Sequence, residues 1–513
     1  MAPPASSSSR SSASSHDSKT WPSGARLLTT DSVRLCRRRH ECHDGTQRPQ
    51  RTQRKTVLLS GLRGLCVPRR AVTGEHVFAG STTKGDRIEM IRPTVARIDL
   101  SALESNYRRI VEHLAGERGD RAPGLIAVVK ANAYGHGAGQ VARALENAGA
   151  DLVACADIEE GAVLRDAGVR AEILIFGALS VSDLDGLFDC RLTPTISTPG
   201  AARAVQAAAA RHRQRVRYHL KIDTGMNRLG FRFDNLARTL PELLTSPNLA
   251  LDAVYTHFAT ADDPDSTLFH EQRARFERAL NDIDTLAPRH RPPDGVRPDA
   301  ASSHISAPRA GSIVPIGAPS SGRPYIHAAN SAALLRDSRV WYDRVRPGLL
   351  LYGIVPPPLA TTIPLAPVMS LGSRIVAVKG VRPGEGVGYG VPFTAERATS
   401  IAIVPAGYAD GLDLRLAGRG SVLIRGRRAP IVGSVCMDML MADVTGLDCS
   451  PGDEVMIIGS QDQDRIDVRE IAATIGTIPY EILCRVGSRI ERVYVGQDRR
   501  DRRDGRDRRT ERR

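Results

Sequence analysis

Between about residues 100 and 365, short apolar runs alternate with stretches of helical periodicity, and this alternation constrains the fold more than any other feature. The apolar runs read GLIAVV, DLVACA, EILIFG, VRYHLKID, LDAVYTHFA, YIHAANSA and RVRPGLLLYG. Helical stretches follow most of them. Repeated strand–helix units predict a parallel sheet, either an open sheet or a (β/α)8 TIM-type barrel. We take the barrel as the expected form of residues 100–365.

The pattern changes after residue 365. The apolar runs there, such as SIAIVPAGY, MLMADV and DEVMIIG, are short, rich in β-branched residues and separated by Gly, Pro or Asp. Helical stretches are nearly absent before VREIAATIG. This predicts a mostly antiparallel β domain over residues 366–496, which a first strand within residues 90–99 is expected to join. The chain as a whole is thus expected to be an α/β protein.

The net charge of +14 comes from the two ends of the chain. The first 89 residues carry 16 Lys and Arg against 7 Asp and Glu, and residues 497–513 carry 9 Arg against 5 acidic residues. Charged ends of this kind are typical of solvated, disordered tails, which bind polyanions only weakly. The nearly neutral remainder predicts no specific nucleic-acid partner. No run of eighteen apolar residues occurs, which predicts no membrane span.

Cysteine content bears on metal binding and compartment. The eight cysteines of this long chain do not indicate a disulfide framework. The cluster CRRRHECH, from Cys36 to His43, has no second ligand pair at zinc spacing, so no metal site is predicted. A reducing, cytoplasmic setting is expected.

Two further segments stand apart from the periodic pattern. Residues 1–89 are rich in Ser and Arg and predict a disordered extension, so Met90 is a candidate for the physiological start, with a transit peptide as the alternative. Residues 288–325 are dense in Pro, Ser and Gly and predict a flexible insertion in the barrel.

The stretch AVVKANAYGHGA places Lys130 directly after an apolar run. Active sites of barrels lie at the C-terminal ends of the strands, and a lysine there can form a Schiff base with pyridoxal phosphate (PLP). Tyr134 lies within reach of a bound phosphate, and Gly135 and Gly137 allow close backbone approach. Taken alone, the motif fits a solvated strand-end lysine equally well.

Further motifs follow in a fixed order from about Ile91 to Val495. They read IRPTVARIDLSALESNY, VVKANAYGHG, KIDTGMNRLGF, YTHFATAD, HAANSAA, VRPGLLLYG, GVGYG, GYADG, VCMDM and TIPYE. In content and order this set resembles the bacterial alanine racemases, which are homodimeric PLP enzymes with an N-terminal barrel and a C-terminal β domain. The resemblance implies interconversion of L- and D-alanine, the latter used for peptidoglycan.

The resemblance also implies catalytic roles. Lys130 would hold PLP and exchange the Cα proton on one face, and Tyr389 of the other subunit would act on the opposite face. A phenol needs help to act as a base near neutral pH, which His257 would supply through a hydrogen bond. Arg346 would face the pyridine nitrogen. A guanidinium cannot give that nitrogen a full proton, which disfavours transamination.

The remaining implied roles concern binding. The substrate would meet Arg228 and Met437, with Asp438 beside them at the entrance. Lys221 corresponds to a lysine that is carbamylated in many relatives, and an ordinary barrel lysine is the alternative. The implied cofactor-binding residues are Lys130, Tyr134, His257, Ser331, Arg346, Gly348, Leu349 and Tyr480.

Other functions remain open at this point. A PLP racemase of another amino acid, such as serine, would share these motifs. A decarboxylase with the same two domains would be expected to lack the combination of Tyr389, Arg228 and Arg346. A PLP-binding regulatory protein without turnover is typically a barrel alone, which residues 366–496 argue against.

Overall fold

A computed structural model describes residues 93–179, 183–286 and 323–496 of the chain. The predicted extension 1–89, the start at Met90, the tail 497–513 and residues 288–322 of the predicted insertion lie outside the described residues.

A closed barrel forms the first part of the described chain. It is preceded by β1 (Val95–Asp99) and α1 (Leu100–Arg118), and the sheet order shows that eight parallel strands of the described residues close on themselves. A ninth, two-residue strand pairs in parallel with one of them. In chain order these strands are β2 (Gly124–Val128), β3 (Leu152–Cys155), β4 (Glu172–Ile175), β5 (Thr193–Ile196), β6 (Val216–Asp223), the short β7 (Phe231–Arg232), β8 (Leu249–Tyr255), β9 (Tyr325–Asn330) and β10 (Arg344–Arg346).

Helices follow most of the barrel strands. Side chains in the preceding turns fix where several begin, because their oxygens accept free N–H groups of the first turn. Asp157 caps α4 by accepting the Glu160 N–H at 2.8 Å, and Thr198 caps α6 by accepting the Ala201 N–H at 3.1 Å. The helices are α2 (Lys130–Tyr134), α3 (Ala138–Asn147), α4 (Ile158–Asp166), α5 (Asp185–Asp189), α6 (Pro199–Arg211), α7 (Leu236–Thr239), α8 (Pro241–Leu244), α9 (Leu268–Leu286) and α10 (Ser331–Arg336).

The second part of the chain is a mostly antiparallel sheet with two helices. Its elements are β11 (Met369–Arg374), β12 (Ala377–Val381), β13 (Gly386–Val387), β14 (Phe393–Thr394), β15 (Thr399–Val404), β16 (Ser421–Ile424), β17 (Arg427–Val432), β18 (Leu440–Asp443), β19 (Glu454–Gln461), β20 (Asp464–Ile466), α11 (Val468–Ile475), α12 (Pro479–Arg485) and β21 (Glu491–Val495). Short 3-10 turns lie at Gly119–Arg121, Ser338–Val340, Tyr408–Asp410 and Leu414–Leu416.

The N-terminal strand ties the two parts together. β1 pairs antiparallel with β11 and parallel with β21, so it lies inside the C-terminal sheet before the chain enters the barrel. The expected α/β architecture, a barrel followed by a mostly antiparallel β domain, is confirmed. Among the described residues, no helix combines the length and the apolar character needed to cross a bilayer.

Barrel closure determines where polar side chains meet. All the barrel strands run in one direction, so residues at or just after their carboxyl ends gather at one mouth. Lys130 follows β2, His257 follows β8, Ser331 follows β9, and Arg346 ends β10. Lys221 lies near the end of β6. Residues far apart in sequence thus come together at this mouth.

Candidate active site

Lys130 is followed by an unusual left-handed turn. The four residues Ala131 to Tyr134 have φ angles of 53°, 52°, 54° and 51°. Left-handed backbone costs non-glycine residues roughly 1–2 kcal/mol each, so the rest of the fold must hold this turn in place. The turn separates Lys130 from Tyr134 by only three residues, so both belong to the segment that links β2 to α3.

Glu160 and Asn132 stabilise the turn through the backbone. Glu160, on α4, accepts the Ala131 N–H with one carboxylate oxygen and the Ala156 N–H with the other, each at 2.7 Å. It therefore joins the residues that follow β2 and β3. Asn132 accepts the Ala138 N–H at 2.8 Å and so connects the turn to α3. Hydrogen bonds to backbone N–H groups of this kind offset part of the conformational cost.

Tyrosine side chains and close backbone packing form a pocket wall beside the turn. The rings of Tyr134 and Tyr480 lie 5.8 Å apart. They approach because α12 packs against Gly135, where an added Cβ would come within 2.3 Å of the Leu483 carbonyl oxygen. Burial raises the pKa of Tyr134 well above its usual value and that of Tyr480 to about 12. Both phenols therefore remain protonated donors.

The segment after β10 lies against the same phenol. A Cβ on Gly348 would lie 2.5 Å from the Tyr134 hydroxyl oxygen. The Ser331 hydroxyl accepts the Gly348 N–H at 2.9 Å. Leu349, next in the chain, is fully buried. The hydroxyls of Tyr134 and Ser331 and the backbone around Gly348 thus lie together, a composition suited to holding an anion such as a phosphate group.

Arg346 is buried and held by acceptors from neighbouring strands. It donates to His327 Nδ1 at 2.9 Å, to the carbonyls of Thr256 and Ala328 at 2.9 Å each, and to His257 Nδ1 at 3.3 Å. These contacts leave the Nε–H and one Nη1–H without an acceptor among the described residues. Burial lowers its pKa to about 10, so it stays charged near neutral pH.

Several cations share this mouth of the barrel. Burial lowers the pKa of Lys130, and the nearby Arg228 and Arg346 lower it further. Burial, with Arg346 and Arg228, lowers the pKa of Lys221 to about 7, and its amine lies 4.7 Å from the centre of the Tyr255 ring. An amine with a lowered pKa is neutral, and hence nucleophilic, in a larger fraction of molecules.

Tyr389 and Met437 lie elsewhere in the single chain. Tyr389, between β13 and β14, is 81% exposed, and Met437 is 52% exposed. The Tyr389 carbonyl accepts a hydrogen bond from Ser434, and Asp438 accepts one from Arg489 at 2.6 Å. One chain therefore presents Tyr389 and Met437 to solvent, whereas the other candidate residues gather at the barrel mouth or, in the case of Tyr480, against it.

The barrel residues fit PLP. The partly buried Lys130 amine of lowered pKa matches the aldehyde of that molecule, and the hydroxyl-rich cradle that a Gly348 side chain would fill matches its phosphate. The buried Arg346 guanidinium, with its unused N–H groups, matches the ring nitrogen.

Comparison with known proteins agrees with this geometry. The family model "Alanine racemase, N-terminal domain" matches residues 98–304, and "Alanine racemase, C-terminal domain" matches residues 368–494. The alanine racemase of Carboxydothermus hydrogenoformans is 38% identical over 411 residues, which cover 79% of this chain and 100% of that protein. The chain belongs to the alanine racemase family.

Other alanine racemases match over a similar extent. That of Halothermothrix orenii is 36% identical, over 79% of this chain and 97% of its own. The crystal structure of the alanine racemase from Streptomyces lavendulae superposes with a TM-score of 0.69 at 31% identity, over 80% of this chain and 99% of that one. The structure from Bartonella henselae, described with covalently bound pyridoxal phosphate, has a TM-score of 0.64 at 26% identity, over 79% and 99% of the two chains.

Three residues of this alanine racemase site are not among those predicted from the sequence: Glu160, His327 and His219. A signal for the histidines existed, because alternate residues of a barrel strand face the interior. His219 shares a face of β6 with Lys221, and His327 shares a face of β9 with Tyr325. Polar residues at alternate positions of otherwise apolar strands mark an interior hydrogen-bond network. Glu160 has no such signal, because its role depends on two backbone N–H groups.

Proposed function

We propose that the chain is a PLP-dependent alanine racemase that works as a homodimer with two bases, Lys130 and Tyr389 of the partner subunit. The observation that carries this proposal is the convergence of a partly buried amine and a buried guanidinium, Lys130 and Arg346, on one mouth of the barrel. Membership of the alanine racemase family supports the choice of alanine as substrate.

Each end of the cofactor has a candidate binding group. Tyr134, Tyr480 and Ser331, with the backbone N–H groups of Gly348 and Leu349, are assigned to the phosphate. Arg346 is assigned to the ring nitrogen through its unused N–H groups, and Lys130 to the aldehyde. PLP, when bound to the amino group of a substrate, withdraws electrons and acidifies the Cα–H bond.

Lys130 is suited to move the Cα proton on one face. Its lowered pKa means that the amine, once freed by substrate, holds no proton in an appreciable fraction of molecules and can accept one. The nearby Arg228 and Arg346 also oppose a lasting ammonium there, which favours return of the proton to substrate. Because Arg346 donates only hydrogen bonds, it leaves the ring nitrogen without a full proton and so limits side reactions.

Tyr389 of a second subunit is suited to the opposite face, and His257 prepares it. Since the guanidinium of Arg346 faces Nδ1 of His257 and can only donate, that nitrogen must be the acceptor. Burial, reinforced by Arg346, lowers the pKa of His257 well below its usual value, so the ring is neutral and carries its proton on Nε2. An Nε2–H donor stabilises a phenolate and makes Tyr389 a stronger acid.

Substrate binding falls to Arg228 and Met437. Arg228 can hold the substrate carboxylate through paired N–H groups. Carbamylation of Lys221 would place an anion near Arg228, and the pKa of about 7 supports it, because carbon dioxide reacts with the neutral amine. Met437, exposed on the β domain, would line the entrance from the partner subunit together with Asp438.

A reducing cytoplasm and a role in supplying D-alanine for peptidoglycan complete the proposal. Free cysteines at 155, 190, 436, 449 and 484 are compatible with such a compartment.

The test uses the purified full chain with PLP. L-Alanine is supplied, D-alanine is measured by an enzyme that oxidises only D-amino acids, and cofactor attachment is followed by borohydride reduction. Lys130→Ala is expected to abolish both cofactor attachment and turnover. Tyr389→Phe is expected to retain PLP and to lose by at least about 100-fold the rate of proton removal from L-alanine, the usual size of a general-base contribution.

Tyr342→Phe is the matched control, because the Tyr342 hydroxyl is buried without a hydrogen-bond partner among the described residues. It should keep full rates in both directions. Full activity of Tyr389→Phe in both directions would refute the two-base assignment. Attachment of PLP without D-alanine production would refute the alanine racemase proposal itself.

A further inference from the structure

Below Arg346, a line of hydrogen-bonded side chains runs through the barrel interior. Arg346 Nη1 lies 2.9 Å from His327 Nδ1, and His327 Nε2 lies 3.2 Å from His219 Nδ1. His219 Nε2 lies 2.7 Å from the hydroxyl oxygen of Tyr325. Both histidines are fully buried. The described mechanism uses Arg346 alone from this line.

The guanidinium at the top determines where His327 carries its proton. Arg346 offers only N–H donors, so His327 Nδ1 must accept. A doubly protonated ring would place two donors face to face at that contact. His327 therefore carries one proton, on Nε2, and donates it to His219 Nδ1.

The proton of His219 is placed in the same way. Because His219 Nδ1 accepts from His327, its proton lies on Nε2, facing Tyr325. Asp252, whose Oδ2 lies 4.0 Å from that Nε2, is an acceptor when ionised and favours the same placement. Arg346 at one end and Asp252 at the other thus both favour protons on Nε2 of the two histidines. Every bond in the line is therefore donated in one direction, from Arg346 at the mouth toward Tyr325 at the barrel floor.

Arg217 completes the floor of the barrel. It pairs with Asp252 at 3.3 Å and with Glu172 at 3.1 Å. The oxygens of Glu172 and Asp252 and a nitrogen of His219 lie close enough together to hold a metal ion. The guanidinium of Arg217 already neutralises both carboxylates, and the required Nε2–H of His219 is a donor. The cluster is thus better suited to anchoring a hydrogen-bond line than to binding a cation.

We propose that His219 and Tyr325 are positioning residues. Because all hydrogen bonds in the line are donated in one direction, these two residues keep Nδ1 of His327 free of a proton, so that it accepts from Arg346. Acting through two rings, they fix the orientation of the guanidinium that faces the cofactor. The placement of the protons is independent of the proposed function, whereas the effect on turnover rests on it.

Neutron diffraction from crystals of the full chain exchanged into D2O tests the proton placement directly. The expected result is one deuteron on each ring, on Nε2 of His327 and on Nε2 of His219. A deuteron on Nδ1 of either ring, or two deuterons on one ring, would overturn the inference. This outcome does not depend on whether the protein racemises alanine.

A matched pair of variants tests the effect on turnover. His219→Leu removes the acceptor of the His327 proton, whereas His219→Asn offers an amide oxygen in place of Nδ1. Loss of one buried hydrogen bond corresponds to a fall in kcat of about tenfold for His219→Leu, with KM changed by less than about threefold. His219→Asn should recover most of the loss, and Tyr325→Phe should lie between the two.

Equal losses in the Leu and Asn variants, or a change confined to KM, would contradict a positioning role. If His219→Leu does not fold, the positioning role is tested by comparing His219→Asn with Tyr325→Phe. Tyr325→Phe leaves His219 Nδ1 in place as the acceptor of the His327 proton. A larger loss for Tyr325→Phe than for His219→Asn supports the full line, and wild-type rates in both variants refute it. Absence of racemase activity in the wild type would refute the proposed function and leave the neutron result standing.

Discussion

Replacing Gly348 by Ala tests the cofactor cradle, because the structure gives the conflict in distances. The new Cβ would lie 2.5 Å from the hydroxyl oxygen of Tyr134 and 3.1 Å from its ring carbon Cζ. Carbon–oxygen contacts are ordinarily about 3.4 Å or longer, so the hydroxyl or the backbone must shift by roughly 0.9 Å. The Tyr134 ring cannot simply swing aside, since it packs against Tyr352 at 5.1 Å and Tyr480 at 5.8 Å.

The expected effect on the cofactor follows from that conflict. Overpacking of a buried site costs about 1–3 kcal/mol. If the cost falls on the arrangement that binds phosphate, the Kd for PLP rises by roughly 5- to 150-fold, because about 1.4 kcal/mol corresponds to tenfold. We expect a value near the middle of that range. The displaced group is the end of one side chain, while the backbone of Gly348 remains bonded to Ser331.

The assay is PLP titration of the apoprotein followed by absorbance, with thermal unfolding as a check on folding. Gly116→Ala in α1 is the control, because an added Cβ there meets nothing within 4 Å. The double variant Tyr134→Phe with Gly348→Ala sharpens the test. Tyr134→Phe removes the clashing hydroxyl and leaves only the 3.1 Å approach to Cζ, so Gly348→Ala should weaken PLP binding less in this background than in the wild type. Additive losses, or unchanged PLP binding by Gly348→Ala alone, would refute the reasoning.

Two further predictions concern the surroundings of Lys130. Glu160→Ala should raise the Kd for PLP and lower the melting temperature more than Glu160→Gln, which keeps one acceptor for the Ala131 N–H; equal effects would show that the carboxylate does not hold the turn. Burial lowers the pKa of unmodified Lys221 to about 7, so between pH 7 and its ordinary value of 10.5 the unfolded chain binds more protons than the folded one. The free energy of unfolding, measured with urea in carbonate-free buffer, should therefore rise from pH 7 to pH 9. An equal rise in Lys221→Met would show that Lys221 is not its source.

How much the sequence could predict depended on whether the signal was local. Apolar runs and helical stretches predicted the barrel and the β domain, because burial and periodicity act over a few residues. Lys130 and Tyr134 lie in one motif and were found together. The strained backbone between them has no comparable signal, since neither Ala131 nor Ala133 favours a left-handed conformation. That conformation depends on Glu160, which lies on another element.

The contact between the interior histidines is likewise not predictable from the local sequence. A polar residue at an alternate strand position indicates an inward-facing side chain, but the strand alone does not tell which inward-facing residues will touch. His327 and His219 are 108 positions apart and meet because β6 and β9 both pair with β8. Barrel closure sets that contact. The direction of the hydrogen bonds between them follows only once Arg346 and Asp252 are placed at the two ends.

Charge balance connects the remaining features of the site. Four cationic side chains lie close together at the barrel mouth. Burial, and with it Arg228 and Arg346, lowers the pKa of both Lys130 and Lys221. The carboxylates that oppose them are already engaged by backbone N–H groups, as Glu160 is with Ala131 and Ala156. Asp223, beside Lys221, likewise accepts the N–H groups of Gly225 and Asn227 at 3.0 and 3.1 Å.

An excess of cations at a partly buried site is costly unless anions compensate it. The proposed ligands supply such anions, since PLP brings a phosphate and alanine a carboxylate. Carbamylation of Lys221 would act in the same sense, because it replaces a cation with an anion at a fixed position beside Arg228. Binding of PLP should therefore raise the melting temperature more at low ionic strength than at high. The bound phosphate would relieve a repulsion that salt otherwise screens, and a salt-independent rise would argue against charge balance as the source of cofactor affinity.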